Sequence, residues 1–234
     1  MKIRAPFLIY YFMKLRLYIL NSIVLFFISN QYVIANTVNE EKKDSIIQFF
    51  FTSDVHFGLV KNKFRGKFNV PAIEVNKAMV AFMNQVQYSY LPNDNGVEAS
   101  QQLNGIDALV ITGDIANRME NGVQTATQSW KEFTNVFVDS LQLKKSNHKK
   151  TELFVVPGNH DMSNAIGFHR KMEPKKDAAS MIGIYNLMFP KTSVEKFDST
   201  LTRVHFSKDI KGVHFIFLSL YPDSAERVWM EADL

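Results

Sequence analysis

The chain has 234 residues, which is enough for one domain with a substantial core. Its hydrophobic fraction of 46% and aromatic fraction of 13% are typical of a globular protein, and neither a repeat nor a low-complexity tract stands out. The formal net charge is +4 and cysteine is absent, which excludes a disulfide scaffold and a thiolate-held metal.

The first 35 residues have the layout of a secretory signal peptide. Lys14 and Arg16 precede an apolar stretch at 17–28, and Ala35 is a small residue at a suitable distance for cleavage. The alternative is an uncleaved anchor that holds the protein at the membrane. We therefore expect a periplasmic or secreted protein. If residues 1–35 are not cleaved, we expect a membrane-anchored protein that contacts the membrane through these residues only.

Removing that segment changes the charge of the protein. Residues 1–35 hold four basic residues and no acid, so the net charge falls from +4 to 0 without them. The basic pI is therefore no argument for a nucleic-acid partner. The true start is either Met1 or Met13, residues 36–44 form a polar linker, and 45–234 form the folded domain.

The remaining elements alternate along the chain. Three apolar runs are too continuous for half-exposed strands and predict buried ones, at 45–58, 106–118 and 151–161. Helical spacing of apolar residues predicts helices at 72–87 and 126–142, between these strands. A hairpin at 201–220, with its turn at 208–212, and a helix from 224 follow. This order predicts an α/β fold with a mostly parallel sheet.

Each of the three predicted strands ends in polar residues of the ligand type. They are Asp54 and His56, then Asp114, then Asn159, His160 and Asp161. The carboxyl ends of parallel strands meet at one edge of a sheet, where sites assemble. Each group alone fits an ordinary turn. Their joint occurrence at three strand ends is what indicates a site.

Carboxylate, imidazole and amide ligands suit Mn²⁺, Fe or Zn²⁺. Asp54, His56, Asp114 and Asn159 are the candidate metal ligands, and a carboxylate such as Asp114 is able to bridge two ions. His160 is the candidate general acid for a leaving oxygen, and Asp161 would orient its imidazole.

The motifs "DVH", "GD" and "GNHD", from Asp54 to Asp161, resemble those of the calcineurin-like metallophosphoesterases. The resemblance implies a four-layer αββα sandwich with two mixed β-sheets. It also implies two divalent metal ions, with Asp54, His56 and Asp114 on one and Asp114 and Asn159 on the other. His160 would be the catalytic histidine. The expected activity is hydrolysis of a phosphate mono- or diester.

The family's later blocks, a lone His and then G-H-x-H, should follow the last predicted helix and do not appear before Leu234. One metal would then lack one ligand and the other would lack two. Of the remaining histidines, His214 is interpreted as a strand residue rather than a substitute ligand. We expect a fold that lacks its C-terminal part, and an inactive relative that binds at most one metal remains an alternative.

Residues near the motifs bear on the substrate. Asn117, Arg118 and His169 are the candidate substrate-binding residues, because an Arg close to two metals is able to hold a phosphate group. We expect a small phosphate ester, such as a nucleotide or a lipid head group. A secreted metallonuclease is the other alternative, although a mature charge near zero disfavours it.

Overall fold

The computed structural model of the chain describes residues 46–116, 124–162, 177–198 and 200–234. The predicted signal peptide and linker lie outside the described residues, as do Asn117, Arg118 and His169. In the part of the chain that is described, no helix has both the length and the apolar character needed to cross a bilayer.

The described elements alternate largely as the sequence predicts. The strands are β1 (Phe49–Thr52), β2 (Val60–Phe64), β3 (Lys67–Pro71), β4 (Ala108–Ile111), β5 (Glu152–Val155), β6 (Phe206–Ile210) and β7 (Val213–Phe217). The α-helices are α1 (Ala72–Val86), α2 (Ala126–Phe133), α3 (Asn159–Met162), α4 (Ala179–Met188) and α5 (Ser224–Asp233). A π-helical stretch, Thr134–Asp139, continues α2, and a 3₁₀ turn, Pro190–Thr192, follows α4.

A parallel sheet in the order β1-β4-β5 carries the candidate site. Phe51 pairs with Val110, which pairs with Phe154, so all three strands end at one edge. Every residue of β4 is buried, as predicted, and β4 is the central strand of this sheet. The mixed α/β class is confirmed.

The helices α1 and α2 pack on one face of this sheet. Phe133 and Phe137, on α2 and its π-helical continuation, are fully buried with stacked rings 5.2 Å apart. Phe57 meets both rings edge-on at 6.4 Å, and its carbonyl accepts a 3.1 Å hydrogen bond from the Ser129 hydroxyl. This packing fixes the loop that follows β1.

The β6–β7 hairpin covers the other face, since Phe154 of β5 packs against Phe206 and Phe217. The opposite side of the hairpin meets α5, where Asp233 accepts hydrogen bonds from Ser207 and His214. Helices, parallel sheet, hairpin and α5 thus form four layers, the arrangement of a metallophosphatase-like fold. Parallel and antiparallel strands occupy separate sheets in the described residues.

The prediction that β1 is buried is wrong. Phe49 and Phe51 are 48% and 63% exposed, because β1 is the edge strand of the described sheet. The Phe215 ring of the hairpin meets that of Phe49 edge-on at 6.2 Å without covering it. The helical spacing of apolar residues in α1 also predicts that Phe82 faces the core with Val80 and Met83, but Phe82 is 59% exposed whereas the other two are buried.

The turn of the later hairpin is shorter than predicted. Lys211 and Gly212 alone connect the strands, both with positive φ, as a two-residue turn with this twist requires. The Lys211 ammonium lies 3.1 Å from the buried Asp107 carboxylate, just before β4. The turn therefore lies at the amino end of the parallel sheet, away from the candidate site.

Candidate metal centre

The loops after β1 and β4 pair through their backbones beyond the end of the sheet. The Asp54 amide donates to the Gly113 carbonyl at 3.2 Å, and the His56 amide donates to the Asp114 carbonyl at 2.8 Å. The Phe57 amide continues this pattern to the Ile115 carbonyl. Local backbone pairing therefore brings Asp54, His56 and Asp114 together, as predicted.

Two glycines let the loop after β5 join them. A Cβ atom at Gly113 would lie 1.9 Å from the Gly158 nitrogen, and one at Gly158 would lie 2.1 Å from Oδ1 of Asp114. Since real side chains do not approach so closely, the contact requires two residues without Cβ atoms. The third loop thereby places His160, which follows Asn159 in the chain, beside Asp114.

Three of the candidate ligands have a left-handed backbone. The φ angles are 56° at Asp54, 39° at His56 and 51° at Asp114. This conformation is unfavourable for residues with a Cβ atom and persists where surrounding contacts enforce it. Such strain is concentrated at functional sites, and here it turns three side chains towards one another.

His56, Asp114 and His160 form a cluster whose ligand atoms lie within 4.8 Å of one another. Nε2 of His56 is 3.6 Å from Oδ2 of Asp114 and 3.5 Å from Oδ1 of Asp54. The His56 and His160 rings meet edge-to-face at 5.0 Å. Nδ1 of His56 is buried, with no hydrogen-bond partner among the described residues.

The Asp114 carboxyl is in an environment that disfavours its charge. Its pKa is raised to about 6: burial has the largest effect, the carboxylates of Asp161 and Asp54 act in the same direction, and the His160 amide and His56 act against them. A bound cation would offset this cost by favouring the ionised form. Imidazole and carboxylate donors also suit a divalent ion, so the residues present fit a metal site.

Asp161 joins the loops. Its fully buried carboxylate accepts hydrogen bonds from the amides of Ile115, Ala116 and Gly158, at 3.2, 3.0 and 3.0 Å. These three main-chain donors satisfy the hydrogen-bonding needs of a buried carboxylate. These contacts show Asp161 holding the second and third loops together, which sequence reasoning did not anticipate.

The sequence-predicted residues differ in exposure. The Asp54 side chain is 64% exposed, Asp114 is buried, and His56, Asn159 and His160 are half-buried. His160 lies in the cluster with His56 and Asp114. This position suits a metal ligand as well as a proton donor. His214 lies in β7 and bonds to Asp209 and Asp233, as its interpretation as a strand residue requires.

A family model described as calcineurin-like phosphoesterase matches residues 47–223, more than half of the chain and all of the described site. No curated protein matches the sequence. The matched region contains the three motif loops that meet at the carboxyl edge of the parallel sheet. The chain belongs to the calcineurin-like phosphoesterase family, whose members are metal-dependent hydrolases.

Proposed function

We propose that the protein hydrolyses a small phosphate mono- or diester through a dinuclear metal centre. The observation that supports this most is the meeting of His56, Asp114 and His160 at one point, brought there by three separate loops. In α/β folds, sites assemble at the carboxyl ends of the strands, and the half-buried side chains of this site leave it accessible to a phosphate group.

In this proposal Asp54, His56 and Asp114 would hold one ion, and Asp114 and Asn159 would hold the second. Asp114 would serve both ions, since its carboxylate has two oxygens and lies between the other two loops. Mn, Fe or Zn ions suit these donors. When bound, the metals would neutralise phosphate charge and increase the acidity of water.

His160 would deliver a proton to the leaving oxygen. Its ring lies edge-on to His56 at 5.0 Å, close enough to act on a phosphate held beside that residue. Asp161 acts on His160 by fixing the start of α3, which begins at Asn159. Asn117, Arg118 and His169 would hold the rest of the substrate.

The substrate would be met outside the cytoplasm. We propose that residues 1–35 direct export, so that the protein is periplasmic or secreted, or held at the membrane if the segment is not cleaved. We do not expect a polynucleotide substrate, because the net charge without residues 1–35 is 0.

Replacing His160 with Ala tests the proposal. Hydrolysis of p-nitrophenyl phosphate and of its bis ester should fall by about 10²–10⁴-fold, since general acid catalysis contributes that much. Metal content should stay unchanged. His148→Ala is the matched control, because His148 is exposed in a turn elsewhere in the chain.

Full activity in the His160 variant would overturn the proton-donor role. Loss of metal in that variant would make His160 a ligand instead. Two ions per chain support the dinuclear centre, whereas one ion and no turnover support the inactive, single-metal alternative.

A further inference from the structure

The β2–β3 hairpin carries an unbalanced positive charge. Lys61, Lys63, Arg65 and Lys67 are all exposed, and residues 55–73 contain no acid. The ion pairs seen in the described part of the chain involve other cations, so these four have no carboxylate partner there. Four cations without a carboxylate partner within seven residues make this hairpin a basic surface.

The same hairpin exposes large apolar side chains. Leu59, Val60 and Phe68 are 40%, 54% and 72% exposed. These side chains stand among the cations rather than apart from them, because Lys63 pairs directly across the strands with Phe68. Isolated exposed apolar residues are common on proteins, but a group of them on one basic hairpin is typical of an interaction surface.

The hairpin is held firmly at its base. The Ala72 amide donates to the Leu59 carbonyl at 2.8 Å, Val70 is buried, and α1 begins directly after β3. At the tip, Arg65 and Gly66 have φ angles of 48° and 80°, which close a two-residue turn. Cations and apolar side chains are thus presented in a fixed arrangement.

We propose that this hairpin docks the protein on the surface of an anionic phospholipid bilayer. Lysine and arginine would contact headgroup phosphates, while Phe68, close to the tip of the hairpin, enters the interfacial region. Lys and Arg stems extend along apolar surface while their charges stay in water, which suits this depth. The docking does not depend on residues 1–35, the membrane contact that the sequence predicts.

A lipid surface fits better than a single-stranded nucleic acid. The Lys63 ammonium lies 5.6 Å from the Phe68 ring centre, and the Arg65 guanidinium lies 5.3 Å from that of Phe64. The faces of these two rings, on which bases of a nucleic acid would stack, are therefore already approached by cations of the same chain. Exposed aliphatic Leu59 and Val60 have no role in base stacking, but they favour a hydrocarbon interface.

Vesicle sedimentation tests the proposal on the full chain. The probes are phosphatidylcholine vesicles with and without phosphatidylserine, and the variant is Lys63→Gln with Lys67→Gln. The parent should bind the anionic vesicles more tightly than the neutral ones. The variant should bind the anionic ones about 30-fold more weakly, the contribution of two cations near such a surface.

Lys149→Gln with Lys191→Gln is the matched control, since both of these lysines are exposed and lie outside the hairpin. It should bind like the parent. Every variant keeps residues 1–45, so any contribution from them is common to all. Phe68→Ser should weaken binding to the anionic vesicles by about tenfold through lost apolar contact.

Equal binding by the parent and the hairpin variant would overturn the proposal, as would no preference of the parent for anionic vesicles. A fluorescent single-stranded oligonucleotide provides the competing test. If the parent binds it more tightly than the vesicles, and the hairpin variant alone loses that binding, the surface is one for nucleic acid.

Discussion

The main-chain amide of His160 donates a 2.9 Å hydrogen bond to Oδ1 of Asp114. The other carboxylate oxygen of Asp114 lies 3.6 Å from Nε2 of His56. One buried carboxylate thus connects the motif loops that follow β1 and β5 to its own loop after β4.

Replacing Asp114 with Asn should weaken metal binding by at least about 100-fold. Asn keeps an oxygen for the His160 amide but loses the negative charge. Even residues that only hydrogen-bond to a metal ligand change metal affinity by about 10–100-fold, so the loss of a ligand should cost at least as much. Metal content of the purified protein is the measurement. Asp107→Asn is the control, because Asp107 is buried at the opposite end of β4 and pairs with Lys211. Equal metal content in the Asp114 variant and the parent would rule out its role as a ligand.

Replacing Gly158 with Ala should damage the site through backbone contact alone. The new Cβ would lie 2.1 Å from Oδ1 of Asp114 and 2.5 Å from its nitrogen, so the two loops must separate. We expect a loss of about 1–3 kcal/mol in unfolding free energy, together with weaker metal binding.

Gly212→Ala serves as the control for the Gly158 variant. Gly212 has a φ of +80° and nothing within 4 Å of an added Cβ, so its replacement introduces backbone strain without a clash. Its metal binding should match that of the parent. Normal metal affinity in the Gly158 variant would show that the loops separate without moving Asp114.

Replacing Asp161 with Asn should destabilise the fold by about 3 kcal/mol. The three main-chain amides that bond to the buried carboxylate would be left with one neutral acceptor oxygen. Asp198→Asn is the control, since Asp198 also accepts bonds from the Thr200 and Leu201 amides but is exposed. That change should cost much less, because water replaces the lost hydrogen bonds at an exposed site. Denaturant unfolding measures both, and equal losses would show that the burial of Asp161 has no special effect.

The bridge between His214 and Asp233 should make the stability depend on pH. Hydrogen bonds to Asp209 and then to Asp233 raise the pKa of His214 above its usual 6.5. The bond from His214, followed by that from Ser207, lowers the pKa of Asp233 below its usual 3.8. The stabilisation from His214 is complete below pH 6.5 and is lost as the pH rises through its raised pKa. That from Asp233 is complete above pH 3.8 and is lost as the pH falls through its lowered pKa.

A double-mutant cycle with His214→Gln and Asp233→Asn measures this coupling from unfolding free energies at several pH values. The coupling should be largest between pH 3.8 and 6.5. A coupling that increases above this range would contradict the bridge between a charged imidazole and a carboxylate.

The sequence predicted the elements with strong periodicity. The three strands of the parallel sheet, α1, α2, α5 and the β6–β7 hairpin all lie within their predicted ranges. These elements have continuous apolar runs or helical spacing, which depend little on distant contacts. The β2–β3 hairpin was missed, although Arg65-Gly66 between two short strands was a readable turn signal.

Exposure was less predictable than element type. The apolar run of β1 suggested burial on both faces, but Phe51 is 63% exposed. A strand's hydrophobicity does not state whether it lies in the middle or at the edge of its sheet. That depends on which strands pair with it.

By itself, the sequence determined which residue types the candidate site contains, because Asp54, His56, Asp114, Asn159 and His160 follow three strands in this order. Only the tertiary structure decided how these side chains meet. The contact between Gly113 and Gly158 and the three amides on Asp161 join segments far apart in the chain, and the left-handed backbone of the candidate ligands persists where such contacts enforce it. Such contacts form when the strands pair, so no local pattern of residues specifies them.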